Sequence, residues 1–82
     1  MILINLDSLD VVTQLTRVCE KYEADTDVVY GRYVVNGKSV LGVSSLIGKI
    51  VKIEPNTDDS LLLEYITRDL KEIGAWTEEK TN

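Results

Sequence analysis

Two runs of β-branched and aromatic residues, separated only by Gly31-Arg32, constrain the fold of this chain more than any other feature. The residues from position 27 to position 35 read Asp-Val-Val-Tyr-Gly-Arg-Tyr-Val-Val. Glycine in the first position of a two-residue loop is typical of a type II′ turn, whose twist matches that of a paired antiparallel hairpin. The pattern therefore predicts strands near residues 27–30 and 33–36, joined as a hairpin in the middle of the chain.

A segment with apolar residues at helical spacing precedes this hairpin. Its apolar residues are spaced by three or four positions, a period that gathers them on one face of a helix. They are Leu9, Val12, Leu15, Cys19 and Tyr22. Ser8 is the expected N-cap because its hydroxyl can accept a hydrogen bond from an amide of the first turn, and Asp10 adds favourable charge at the same end. The single cysteine lies on the apolar stripe, so we expect it to pack in the core and not to act as a nucleophile.

The other segments complete the order of elements. Residues 1–6 and 50–53 predict strands, the second ended by Pro55, while residues 39–47 predict a short helix capped by Ser39 and stopped by Gly48. A last helix carries its apolar residues on one face, and Gly74 follows it. Those residues are Leu62, Ile66, Leu70 and Ile73. The resulting order, β-α-β-β-α-β-α, predicts one α+β domain over residues 1–76 with the helices on one face of the sheet, followed by a polar tail over residues 77–82.

Composition excludes several classes of function. The chain has 82 residues, enough for one domain, and it contains no histidine. The commonest metal ligand and general base is therefore missing, which excludes Ser-His-Asp triads, Cys-His dyads and the usual zinc sites. The acidic residues of the helices fall on polar faces and show no pairing suited to acid-base catalysis. We expect no metal, no cofactor and no enzymatic activity.

The net charge of −5 is unevenly distributed. Residues 28–53 contain four basic residues and no acidic one, so the total is the balance of +4 in this segment and −9 elsewhere. An acidic chain gains nothing from phosphate neutralisation, so nucleic acid is not an expected partner. No apolar run approaches the roughly 18 residues of a membrane helix, and no secretory leader opens the chain, so we expect a soluble, cytoplasmic protein that does not bind membranes.

The segment from Asn36 to Val43, Asn-Gly-Lys-Ser-Val-Leu-Gly-Val, holds the most informative chemistry. Its glycine spacing matches neither common phosphate-binding loop. A phosphoryl group on Ser39 would instead face unpaired amides at the start of a helix, with Lys38 beside it. Ordinary helix capping accounts for the same serine, so the residues alone leave both interpretations open.

This segment and the order of elements resemble HPr, the small phosphocarrier of the bacterial sugar phosphotransferase system. The resemblance spans residues 2–74. Residues 36–46 are similar to the family pattern N-x-K-S-[IV]-[ML]-G-V-x-S-L without a gap, residues 20–25 resemble the end of its first helix, and Tyr30 matches its hairpin tyrosine. The resemblance implies an open-faced β-sandwich in which a four-stranded antiparallel sheet carries three helices on one face. It also implies that Ser39 is the regulatory serine phosphorylated by a dedicated kinase in Gram-positive-type bacteria.

The chain departs from the family at the carrier loop, which in HPr reads G-I-H-A-R-P. Aligned without gaps, Ser8 replaces the phosphorylated histidine, Asp10 replaces the arginine and Val11 replaces the proline. A loop shortened by about three residues would delete the histidine instead. In either alignment the carrier residue is absent, and a phosphoserine ester is too stable to pass its phosphoryl group onward. Ser44 also stands where the family often has an apolar docking residue.

The resemblance therefore implies a non-enzymatic regulatory or interaction protein without phosphocarrier activity, switched by phosphorylation of Ser39. The expected docking residues are Lys38, Leu41, Leu46 and Ile47. The expected partners are proteins: an HPr kinase or a transcription regulator of the catabolite-control type. The alternative is a structural adaptor that has lost both phosphorylation functions, and a working phosphocarrier ranks third. The sequence does not predict an oligomeric state.

Overall fold

The computed structural model describes residues 1–79, and in these residues it contains five strands and three helices. The strands are β1 (Ile2–Asn5), β2 (Thr26–Tyr30), β3 (Tyr33–Asn36), β4 (Ile50–Pro55) and β5 (Trp76–Thr77). The helices are α1 (Leu9–Lys21), α2 (Val40–Ser44) and α3 (Ser60–Glu72). Residues 80–82, the end of the predicted polar tail, lie outside the described part of the chain.

The strands form one antiparallel sheet in the order β3-β2-β4-β1-β5. The predicted α+β class, with three helices and an antiparallel sheet, is confirmed. The prediction of four strands was wrong, because Trp76 pairs with Leu3 and Thr77 pairs with Ile2 to make β5. A strand of two residues is too short to show the alternation of apolar and polar side chains that identifies a strand. Its sequence was therefore assigned to the end of the domain and the start of the polar tail. Its pairing covers part of the edge that β1 would otherwise expose.

The central hairpin has the predicted geometry. Tyr30 pairs with Tyr33 across a two-residue loop, and Gly31 has a φ of 58°. Arg32, the second loop residue, does not have a positive φ. Positive φ at the first loop residue alone is the property that separates a type II′ turn from a type I′ turn. Glycine is needed at position 31 for this reason.

Both long helices begin at polar caps. Ser8 is the N-cap of α1, as predicted, and its Oγ accepts a hydrogen bond from the backbone amide of Val11. Asp59 caps α3 by accepting from the amides of Leu61 and Leu62. Beyond α3, Gly74 has a φ of 105°, which suits a residue just past a helix end.

One core lies between the sheet and the helices. Alternate residues of the central strands point into it, while α1, α2 and α3 contribute their apolar stripes. The core residues are Ile2, Ile4, Leu6, Val12, Leu15, Cys19, Val28, Val43, Leu46, Val51, Ile53, Ile66, Leu70 and Ala75. The side chains at the intervening strand positions face away from the helices and are partly or fully exposed. The helices therefore cover one face of the sheet and leave the other open.

Candidate docking surface and regulatory serine

A compact turn places Ser39 at the start of α2. The side-chain oxygen Oδ1 of Asn36 accepts a hydrogen bond from the amide of Lys38 at 2.8 Å, and the carbonyl of Asn36 accepts from the amide of Ser39 at 2.9 Å. Gly37 donates its amide to the carbonyl of Thr26 at 2.8 Å. The chain thereby passes from the end of β3 into the first turn of α2 within a few residues.

Gly37 is required at this turn because the backbone approaches α1 closely. A β-carbon at position 37 would lie 2.5 Å from Cys19 Sγ and 2.9 Å from the carbonyl oxygen of Thr26. Real β-carbons do not approach other atoms so closely, and Cys19 and Thr26 are both buried. The turn before α2 is therefore packed against the C-terminal half of α1.

Ser39 is exposed and caps α2 as predicted. Its Oγ accepts a hydrogen bond from the amide of Gly42 at 3.1 Å, and its carbonyl accepts from the amide of Val43 at 2.9 Å. The capping bond uses Oγ as an acceptor, so the hydroxyl proton is not committed to it. Lys38 is half-buried next to Ser39 and forms no ion pair with a residue in the described range 1–79.

Three apolar side chains are exposed on and just after α2. Leu41 is 86% exposed, while Val40 and Ile47 are exposed to 46% and 40%. We call these three residues the α2 patch. Leu41 and Ile47 were predicted as docking residues, and their exposure makes them available to a partner.

Leu46 corrects the predicted docking set, because its side chain is only 6% exposed and belongs to the core. The predicted helix over residues 39–47 ends early, at Ser44, and the chain continues in tight turns. Leu46 donates its amide to the carbonyl of Val43 at 3.0 Å, and Lys49 donates to the carbonyl of Leu46 at 3.1 Å. Leu46 lies three residues after buried Val43, a spacing that puts both side chains on the core-facing side in tight turns as in a helix.

The start of α1 holds the residues that align with the HPr carrier position. Ser8 is half-buried, and its Oγ accepts from the amide of Val11 at a long 3.4 Å. Asp7 and Asp10 lie on either side of it and are exposed. The first turn of α1 therefore presents carboxylates, while Lys38 stands beside the first turn of α2.

The structure does not bring the two serines together. Gly37, before α2, packs on Cys19 near the end of α1, whereas Gly48, after α2, donates its amide to the carbonyl of Leu6 at 2.7 Å, just before α1 begins. The segment from α2 to Gly48 therefore runs antiparallel to α1. Cys19 lies 11 residues after Ser8, which is about 16 Å along a helix axis. Ile47 thus lies toward the start of α1 and Ser39 toward its end.

Cys19 is buried, as its place on the helical stripe predicted. Burial raises the pKa of its thiol to about 11, with smaller opposing effects of Lys38, which lowers it, and Glu20, which raises it. A thiol with so high a pKa carries almost no thiolate at neutral pH. Cys19 is therefore a packing residue.

A polar connection between α1 and α3 was missed by sequence reasoning. Tyr22 donates its hydroxyl to Asp69 Oδ2 at 2.5 Å, and the Lys21 ammonium lies 3.0 Å from the same oxygen. The hydrogen bond from Tyr22, followed by that from Lys21, lowers the pKa of Asp69. The bond to Asp69 is likewise the largest cause that raises the pKa of Tyr22. Tyr22 was assigned to an apolar stripe, and nothing in the sequence links it to a residue 47 positions away.

Two other features that would indicate a function are absent from residues 1–79. In this range no group of three or more Cys, Asp or Glu side chains is placed to hold a metal ion. None of the described helices combines the length and the apolar character needed to cross a bilayer. In the comparisons with known proteins, no family model, curated protein or solved structure matches the chain.

Proposed function

We propose that this chain is an HPr-like regulatory or interaction protein of the phosphotransferase system, without histidine phosphocarrier activity and switched by phosphorylation of Ser39. The observation that carries the proposal is the placement of Ser39. Its hydroxyl is exposed at the cap of α2, two residues from Leu41, whose side chain is 86% exposed. A kinase can reach this hydroxyl, and a partner that docks on Leu41 would sense the change in charge.

The architecture supports the HPr-like assignment. The first seven elements follow the order that the resemblance implies, and the helices cover one face of an antiparallel sheet. The fifth strand is an addition to the implied four. It lies at one edge of the sheet, beside β1, whereas β3, from which the chain turns into α2, forms the opposite edge.

Phosphorylation would act as a local change of charge. The Ser39 oxygen would form a bond to the γ-phosphorus of ATP, ADP would leave, and the hydroxyl proton would pass to a base of the kinase. The product carries about −1.5 to −2 charge at pH 7 and three acceptor oxygens. With Lys38 adjacent, the phosphoryl group would have a cation within its own turn. A partner with an arginine near an apolar pocket would then bind Leu41 and the phosphoryl group together.

The start of α1 supports the absence of carrier function. A carrier must hold a labile phosphoryl group, and in HPr the histidine supplies a phosphoramidate. Ser8 would form a stable ester, and the carboxylates of Asp7 and Asp10 would repel a phosphoryl group there. A phosphoryl group on Ser8 would therefore not be passed onward.

The test is treatment of the purified chain with an HPr kinase and ATP, followed by intact-mass and peptide mass spectrometry. The proposal expects one added phosphoryl group on Ser39. Ser39→Ala should abolish the addition, and the matched cap variant Ser8→Ala should leave it unchanged. Recovery of an unmodified chain would remove the switch.

A constitutive adaptor is the second candidate, and the exposure of Leu41 in the unphosphorylated chain favours it. Immobilised phosphorylated and unphosphorylated protein distinguish the two functions. The switch expects a transcription regulator to be retained only by the phosphorylated form. The adaptor expects the same partner on both forms, with loss of that partner in Leu41→Ser.

A further inference from the structure

The hairpin between β2 and β3 leaves two aromatic rings uncovered on the face of the sheet that the helices otherwise occupy. Tyr30 and Tyr33 are directly opposite each other. Val28 and Val35, two residues away on the same strands, pack in or against the core, and the alternation of side chains places the tyrosines on that same face. Tyr30 is nevertheless 38% exposed and Tyr33 is 67% exposed. The hairpin therefore extends past the helical layer.

The turns after α2 form a wall beside these rings. Ser45, Leu46 and Lys49 line a concave site with Tyr30 and Tyr33, and its volume is about 330 Å³. We call these five residues the tyrosine notch. Leu46 supplies an apolar base and is itself 6% exposed, while Lys49 is fixed through its backbone, which bonds to Leu46 and to Leu6. A volume of this size accommodates one large side chain of a ligand.

The notch carries positive charge that the described residues do not neutralise. The ammonium of Lys49 lies 5.4 Å from the centroid of the Tyr30 ring. Arg32 stands in the loop between the two tyrosines. Neither cation forms an ion pair with any residue in the range 1–79, and residues 28–53 contain no acidic residue. A ligand that supplies carboxylates would meet two unpaired cations beside an aromatic surface.

We propose that the tyrosine notch binds an acidic peptide segment of a partner protein through one aromatic side chain flanked by carboxylates. The ligand ring packs against Tyr30 and Tyr33 over Leu46, and its neighbouring carboxylates pair with Lys49 and Arg32. Aromatic pairs of this kind provide specific contact energy beyond burial, and tyrosine and arginine are enriched among residues that dominate binding. The rest of the chain has a net charge of −9, whereas the notch belongs to the segment with a net charge of +4. An anionic partner would therefore be attracted to the notch and repelled by most of the remaining surface.

This site does not depend on Ser39, because none of its five lining residues is hydrogen-bonded to Ser39 and its charge is present without phosphorylation. It therefore goes beyond the proposed switch, and the two can fail separately. Titrations with unphosphorylated protein and with the Ser39→Ala variant are expected to give the same affinity.

The test is titration of the full chain with the synthetic peptide acetyl-Asp-Glu-Phe-Asp-Glu-amide, followed by NMR chemical shifts. Two control peptides replace Phe by Ala, or all four acidic residues by Lys. We expect each control to bind at least about tenfold more weakly, because each removes either the aromatic anchor or the charge match. Shifts should concentrate on the hairpin and on residues 45–49.

Protein variants distinguish binding at the tyrosine notch from non-specific attraction between the acidic peptide and any positive charge of the protein. Lys49→Glu and Tyr33→Ser should each weaken binding by about tenfold, whereas Arg17→Glu, the same charge reversal on an exposed position of α1, should change it less than about twofold. Circular dichroism of each variant checks that it is folded. Equal weakening by Lys49→Glu and Arg17→Glu would overturn the proposal. So would shifts centred elsewhere, absence of binding at millimolar peptide, or dimerisation through the notch.

Discussion

Two serines cap helices in this protein, and their surroundings differ in ways that decide what each can do. Ser8 begins a helix of 13 residues, is half-buried and lies between two aspartates. Ser39 begins a helix of five residues, is exposed and follows a lysine. Both side chains accept a hydrogen bond from the amide three residues ahead. The same capping motif thus has acidic neighbours at Ser8 and a basic neighbour at Ser39.

The difference in charge is the basis for the proposal that Ser39, and not Ser8, accepts a phosphoryl group. Near Ser8, an added negative charge would be repelled by the carboxylates of Asp7 and Asp10. Near Ser39, added negative charge meets Lys38 and the unpaired amides of a first turn. The tight packing of Gly37 on Cys19 holds the second site in place, so the comparison can be broken by disturbing either the packing or the charges.

The largest effect is expected from Gly37→Val. A β-branched side chain at position 37 must displace Cys19 Sγ and the carbonyl of Thr26, and overpacking of this kind costs about 3 kcal/mol. Urea unfolding measures the loss. Gly31→Asn is the comparison variant: position 31 has open space, so only the strain of its positive φ applies, and the loss should be about 1 kcal/mol, smaller than for Gly37→Val. Equal stability of Gly37→Val and wild type would contradict the packing.

Asp69→Asn should destabilise the end of α1 against which α2 begins, by about 1 to 2 kcal/mol near neutral pH. The lowered pKa of Asp69 means that its contribution is fully present above the unfolded pKa of about 4 and is lost as pH falls through the folded pKa. The raised pKa of Tyr22 works in the opposite direction, so its contribution is present below about pH 10 and is lost as pH rises through the folded value.

The free energy of unfolding, measured from pH 2 to pH 9, checks this profile. The difference between wild type and Asp69→Asn should be constant between about pH 5 and pH 9 and should shrink below pH 4. Tyr22→Phe keeps the ring and removes the hydroxyl, so it should reproduce part of the loss. A difference that persists unchanged at the lowest pH would show that the carboxylate is not the stabilising group.

Ser8→Ala and Ser39→Ala should each cost about 1 kcal/mol, because each removes an N-cap acceptor. The two caps would then contribute equally to stability although their surroundings differ in charge. Thermal unfolding of both variants is the measurement. A loss for one serine and none for the other would show that the second hydrogen bond does not stabilise its helix.

The smallest expected effect comes from aspartate substitutions, which keep the helix cap and change only the charge. Aspartate caps helices about as well as serine, so Ser39→Asp should retain wild-type stability. Ser8→Asp places a third carboxylate beside Asp7 and Asp10 and should be less stable than Ser39→Asp by about 0.5 kcal/mol. The gap should narrow in 1 M NaCl because salt screens exposed charges. A gap that is independent of salt would place its origin in packing.

The sequence predicted most of the fold because its elements carry strong local signals. The Gly31-Arg32 loop and the caps at Ser8 and Ser39 are encoded within a few residues, whereas the helix expected to stop at Gly48 ends at Ser44. The fifth strand was missed because Trp76 and Thr77 become a strand only by pairing with β1, a contact distant in sequence. Local patterns do not report such pairings.

The candidate site was predicted less completely, for a related reason. The exposure of Ser39, Leu41 and Ile47 agrees with their places on and after a short helix, but Leu46, three residues after buried Val43, faces the core. The tyrosine notch requires knowing that the hairpin extends beyond the helical layer, which depends on tertiary packing. Tyr30 and Tyr33 looked like ordinary strand residues.

The central claim, that this chain has a switchable serine and no transferable phosphoryl group, is tested most directly with radiolabelled phosphoenolpyruvate and enzyme I. An ordinary HPr with its histidine is the positive control in the same assay. We predict that the control becomes labelled and that this chain does not, even when its Ser39 can be phosphorylated by a kinase. Label on this chain that passes onward to an acceptor protein would contradict the account.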